Sequence, residues 1–201
     1  IHELAHGYAV KVWGGEVREV GLMMLVLFPV PYVDASAASA FPSKWRRAVV
    51  AGAGIMAELA IAAAAILVWA AAEPGLVRAA AFNAALIGGV STLLFNGNPL
   101  LRFDGYYVFA DLVEIPNLAQ RANRQVFHLI KRHAFGLSES ASAVTARGEA
   151  PWLVIYSVAA FIYRFFIVLG IALFIAGQFF VLGVLLAIWS VGSAFVWPLV
   201  K

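Results

Sequence analysis

The chain has 201 residues, 63% hydrophobic and 12% charged, with a mean hydropathy of +0.89, whereas ordinary soluble domains run near about 45–50% and about 25%. One soluble domain of this length cannot hide so much apolar surface, so composition points to an integral membrane protein and excludes a soluble fold. The formal charge of +3 sits in short basic segments beside apolar runs, a membrane-anchoring pattern rather than a nucleic-acid footprint. With no cysteine, thiolate metal sites, disulfides and a thiol nucleophile are also excluded.

The chain opens on His2-Glu3-Leu4-Ala5-His6-Gly7. On a helix, residues four apart share a face, so His2 and His6 can converge on one tetrahedral metal ion. Glu3, beside the first imidazole, can then reach a water near the metal and serve as its general base. The motif is already under way at Ile1, and we expect further helical turns upstream of it. This first helix is predicted to run to about Trp13 and to end at Gly14-Gly15.

After a short polar turn over Glu16–Glu19, Gly21–Val33 is apolar but too short to span a bilayer, and Pro29 and Pro31 forbid a regular helix. A re-entrant or strand-like segment facing the site is predicted, because irregular backbone at membrane depth needs a protein or water-filled cover. Lys44, Arg46 and Arg47 precede a full-length span over Ala48–Ala72 and mark its start as cytoplasmic. Glu73-Pro74-Gly75 turns the chain into a second span, Leu76–Phe95. A broken stretch follows over Asn96–Pro116.

Residues 117–149 carry Arg121, Arg124, Lys131, Arg132 and Arg147, with Leu118, Ala122, Val126, Leu129 and Ile130 spaced for one apolar face. We read an amphipathic interfacial helix on the cytoplasmic side, with Gly136–Glu149 reading equally as a solvated loop. Two spans close the chain over 151–200, Trp152–Ala176 and Phe179–Val200, separated by Gly177-Gln178. The tryptophans near span ends, Trp45, Trp152 and Trp197, read as interfacial anchors. His128 and His133 lie in too polar a setting to be preferred ligands.

Carboxylates inside apolar stretches are functional candidates by default, and three qualify: Glu58, Asp104 and Asp111. Asp104 follows Asn96-Gly97-Asn98-Pro99-Leu100-Leu101-Arg102-Phe103, where Pro99 breaks the helix, and precedes Gly105, which leaves room for close backbone approach. It can complete a His2, His6, Asp104 set with a fourth position open, the arrangement of a catalytic zinc. The competing reading pairs Asp104 with Arg102. Glu58 follows Gly52 and Gly54, which favour close helix packing; we read it as neutralising Arg164, with support of the site or of the substrate cleft as the alternative.

His2-Glu3-Leu4-Ala5-His6 together with Asn96-x-x-Pro99-x-x-x-x-Asp104-Gly105 resembles the site-2 protease family of intramembrane zinc metallopeptidases over roughly residues 1 to 115. Asp104-Gly105-Tyr106-Tyr107 is also similar to a bacterial branch of peptide zinc metalloproteases tied to peptide maturation or secretion. The resemblance implies one zinc ion held by His2, His6 and Asp104, water activation by Glu3, and a substrate- or oxyanion-holding role for Asn96. Arg102 and Phe103 depart from the usual pattern without touching the ligand set.

The sequence thus predicts an all-α polytopic membrane protein, a helical bundle with a short re-entrant or strand-like segment near the zinc site. It predicts a single membrane-embedded domain over 1–201: a catalytic core over 1–115, an amphipathic segment over 117–149 and two transmembrane helices over 151–200. The expected activity is zinc-dependent hydrolysis of a peptide bond in a membrane-associated protein or peptide. The alternative is a non-catalytic membrane subunit of a peptide maturation or export system. Expected partners are that substrate, the lipid bilayer and a secretion-system component, with no nucleic acid. The expected location is a bacterial inner membrane.

Overall fold

The structure is a computed structural model that describes residues 1–25, 27–135, 144–146, 148–178 and 180–200. It is mostly helical, with one small sheet. The chain forms two compact units, Ile1–Asn117 and Leu118–Lys201. The division falls between Asn117 and Leu118.

In the first unit, α1 (His2–Val12) ends where Gly14 takes φ +77°, and the Gly14 and Gly15 amides bond the Lys11 and Val10 carbonyls. A left-handed residue of this kind is what terminates a helix cheaply when it is glycine. Strands β1 (Val20–Leu25) and β2 (Phe28–Val33) then pair antiparallel, Val20 opposite Val33 and Leu25 opposite Phe28. The expected strand-like segment is therefore a complete hairpin. Its base meets α1 beside His6: a Cβ on Gly7 would lie 3.0 Å from Val33 Cγ1.

Helix α2 (Lys44–Ala71) contains no proline and is rich in alanine, so nothing interrupts it until Glu73-Pro74. The basic cluster expected before this span forms its first turn instead. Helix α3 (Leu76–Ala85) runs back along α2 and widens into a π-helix over Leu86–Asn96. There Gly88 and Gly89 let it approach α2 closely: a Cβ on Gly88 would come 3.3 Å from the Glu58 carbonyl oxygen. The turn after Asn96 leads into α4 (Asp104–Leu112), which packs on α2, Gly52 facing Val108. Arg47 fastens the other end of that contact. Its Nε donates to Asp111 Oδ1 at 2.9 Å and its Nη1 to the Phe41 carbonyl at 2.8 Å.

In the second unit, α5 (Leu118–Phe135) buries Leu118 and Ala122 of its predicted apolar face, together with Ala119, while Ile130 of that face is exposed. It packs on α6 (Glu149–Gln178), where Leu153, Tyr156 and Ala160 form the matching buried stripe. Ser157 Oγ donates to Asn123 Oδ1 at 3.0 Å, and Arg121 Nη2 to Glu149 Oε2 at 2.5 Å. Helix α7 (Phe180–Val200) packs on α6. The loop reading of Gly136–Glu149 falls largely outside the described residues, as does the Trp197 side chain; Trp45 and Trp152 are exposed at the starts of α2 and α6.

Among the described residues, three helical stretches are long and apolar enough to cross a membrane: Lys44–Ala71, Leu76–Asn96 and Glu149–Gly177. They coincide with three of the four predicted spans. In the fourth, α7, the described apolar stretch is Val184–Ser193. Large apolar side chains such as Leu67, Trp69, Leu86, Phe166 and Phe174 are exposed on these helices, which is compatible with a membrane protein.

Candidate metal centre

Three side chains from the two ends of the first unit meet at one point. His2 and His6, one turn apart on α1, bring their Nε2 atoms to 3.2 Å. Asp104, the first residue of α4, places Oδ2 2.9 Å from His2 Nε2 and 3.3 Å from His6 Nε2. His2 and Asp104 are partly buried and His6 is 8% exposed. Among the described residues this is the one group of three or more His, Asp or Glu side chains spaced to hold a metal ion. The competing Arg102 pairing of Asp104 gives way to both imidazoles.

The donor set fits zinc on three counts. First, bonds of about 2.0–2.1 Å to nitrogen and oxygen make the edges of a tetrahedron about 3.3–3.4 Å long, close to the three separations here. Second, Asp104 Oδ2 is buried and makes no aligned hydrogen bond, although it faces two ring nitrogens. A buried carboxylate oxygen left in that state is costly, and a shared cation would satisfy it. Third, the backbone leaves the space free. A Cβ on Gly54 of α2 would fall against the His2 ring and within 2.6 Å of His6 Nε2.

Local sequence explains each placement. The absence of proline or glycine before Gly7 lets α1 form from its first residues, so the two imidazoles share a face. Asp104 reaches the site because the chain leaves the π-helix at Gly97, whose amide bonds the Thr92 carbonyl at 2.7 Å, and turns at Asn98–Leu101. Asn98 Oδ1 accepts from the Leu100 amide within that turn. Gly105 is required next: a Cβ there would collide with the Gly97 backbone. Asp104 also stands in the first turn of α4, where the helix dipole favours a carboxylate.

Each imidazole is backed on its far side. His6 Nδ1 bonds the Val50 carbonyl of α2 at 2.7 Å, so its proton is on Nδ1 and the Nε2 lone pair faces the cluster. His2 Nδ1 lies 3.1 Å from Glu58 Oε1. This approach is off the donor axis, because Nδ1 makes no aligned hydrogen bond. The other oxygen of Glu58 accepts from Thr92 Oγ1 at 2.5 Å and Asn96 Nδ2 at 3.2 Å.

One expectation changes here. Glu58, read as neutralising Arg164, is engaged by His2, Thr92 and Asn96, while Arg164 Nε donates to the Ala160 carbonyl of its own helix. Its contacts place Glu58 beside the His2, His6, Asp104 cluster, in keeping with the alternative reading of it as a support of the site. Asn96, read as holding substrate or oxyanion, directs its amide at Glu58.

Glu3 is partly buried on α1 beside His2, and among the described residues it makes no hydrogen bond or ion pair. It is thus the unengaged carboxylate next to the cluster. Asp111, the remaining acid candidate, is taken up by Arg47. His128 and His133 lie on α5, with His133 Nδ1 bonded to the Leu129 carbonyl. No protein-family model, curated protein or solved structure matches the chain.

Proposed function

We propose that this protein is a zinc-dependent peptidase of the site-2 protease type, cutting a peptide bond within or beside a membrane. The observation that carries the reading is the convergence of His2 Nε2, His6 Nε2 and Asp104 Oδ2, with Glu3 unengaged beside them. The proposal extends to a multi-pass protein of a bacterial inner membrane, in keeping with three helices of spanning length.

His2, His6 and Asp104 would hold the ion, Asp104 supplying the negative charge. When bound, zinc supplies Lewis acidity, polarising the scissile carbonyl and making water nucleophilic near neutral pH. Glu3 takes the proton from the attacking water and delivers it to the departing amine nitrogen. Its freedom from other partners suits a group that must gain and lose a proton in each turnover.

A substrate helix satisfies its own backbone hydrogen bonds, so it must unwind before attack and then needs another partner for its amides. The hairpin offers one edge and withholds the other. The Asp34 amide donates to the Glu19 carbonyl at 2.9 Å, which fixes the alternation. Pro29 and Pro31, opposite Met24 and Leu22, therefore stand at outward-facing positions of β2. That edge lacks donors at two successive outward positions and discourages a third strand. The outward amides and carbonyls of Val20, Leu22 and Met24 on β1 are complete, and β1 is the edge on which an unwound peptide can pair.

The test uses the full chain in lipid, co-expressed with candidate membrane peptides, with products mapped by mass. Parent protein is expected to release defined fragments. Glu3→Ala should lower cleavage by about 100-fold or more while zinc content stays at one per chain. Cleavage unchanged in Glu3→Ala would sink the reading, whereas bound zinc with no cleavage by the parent would favour a non-catalytic subunit of an export system.

A further inference from the structure

Resting on that reading of the centre, we infer that Glu58 is a positioning residue for the metal. It fixes the His2 ring from behind, and Thr92 and Asn96 of the π-helix hold it in place. The chemistry runs outward from the ligand. For His2 Nε2 to give its lone pair to a cation, the ring proton must sit on Nδ1. That proton is buried and needs an acceptor. Glu58 Oε1, at 3.1 Å, is the acceptor beside it. A ligand imidazole backed by a carboxylate has a set tautomer, a set orientation and greater basicity.

Glu58 needs support of its own, because a carboxylate on an apolar helix is costly unless its oxygens are satisfied. Oε2 accepts from both Thr92 Oγ1 and Asn96 Nδ2, which leaves Oε1 for His2. The wide turn of the π-helix carries about 4.4 residues, so side chains four apart come round to the same side. Thr92 and Asn96 have that spacing. The π geometry also lies along the part of α2 that holds Glu58, where Gly88 removes the side chain that would keep the two backbones apart. Asn96 thereby acts through Glu58 and His2 rather than by touching substrate.

The experiment measures zinc affinity of the full chain in lipid nanodiscs by competition with a chromophoric chelator. A second arm records the visible absorption of the cobalt(II) form, which reports ligand geometry. Glu58→Gln is expected to weaken zinc binding about 10- to 100-fold and to shift the cobalt bands, with the thermal transition of the metal-free protein unmoved. Thr92→Val should do the same to a smaller extent, and serves alone if Glu58→Gln does not fold. Adding Asn96→Ala to Glu58→Gln should weaken binding no further, as residues acting in one chain are not additive. Affinity within about twofold of parent for Glu58→Gln, or fully additive losses in the double variant, would overturn the inference. A parent that binds no zinc overturns the metal centre itself, and the two failures are distinct.

Discussion

His2 and His6 carry the same side chain and lie one turn apart on α1, yet the two flanks of the centre are built from different material. On the His6 flank the backing group is the Val50 main-chain carbonyl, and His6 as a whole is 8% exposed. On the His2 flank it is a side-chain carboxylate that is itself held by two more side chains from another helix. A main-chain acceptor is set by the fold and survives almost any substitution. A side-chain acceptor can be removed, exchanged or repositioned, so on the proposed reading the His2 flank is where metal affinity would be adjustable.

The largest effect should come from the atom common to both flanks. Asp104→Asn keeps the shape but removes the charge that faces both Nε2 atoms. Zinc affinity, read by chelator competition, is expected to fall by more than about 100-fold, beyond what losing an outer partner costs. Retention of near-parent affinity would remove Asp104 from the ligand set.

Gly54→Ala comes next, because its methyl would occupy the space between the two imidazoles and press on His6 Nε2. Both flanks should be displaced at once, with zinc affinity falling by about 10-fold or more while circular dichroism shows the helices intact. A normal affinity would mean that α2 yields at this point.

Val50→Ala sharpens the contrast by doing little to the metal. Val50 is 2% exposed, so trimming it should cost about 2 kcal/mol of stability through lost packing. The carbonyl stays, and zinc affinity should remain within about twofold of parent. A large affinity loss would show that the His6 flank, too, depends on side chains.

Much of this centre could be read from sequence because its signals are local. Two histidines four apart, Gly14-Gly15 after them, and Pro99 and Gly105 around Asp104 each state a backbone requirement that neighbours in sequence decide. The helix ends and the spanning segments follow from the same kind of signal. Glu58 was harder, because its partners come from α1 and from the π-helix, which are adjacent to it only in the fold. The π-helix itself was hidden for a different reason. Leu76–Asn96 is apolar throughout, and an apolar run has the same composition whether its turns hold 3.6 residues or more. Gly54 was read as a helix-packing residue, which is right in kind; what packs there is a pair of imidazoles rather than a neighbouring helix.

The separation of Asp104 from His6 along the chain also has a temporal side. Ribosomes add about 5–20 residues per second, so several seconds pass between synthesis of the two imidazoles and synthesis of the carboxylate that joins them. On the peptidase reading proposed above, the ligand set would be incomplete during that interval and the centre inert, although Glu3 is already made. A nascent chain would thereby be spared from cutting itself until α4 has been delivered.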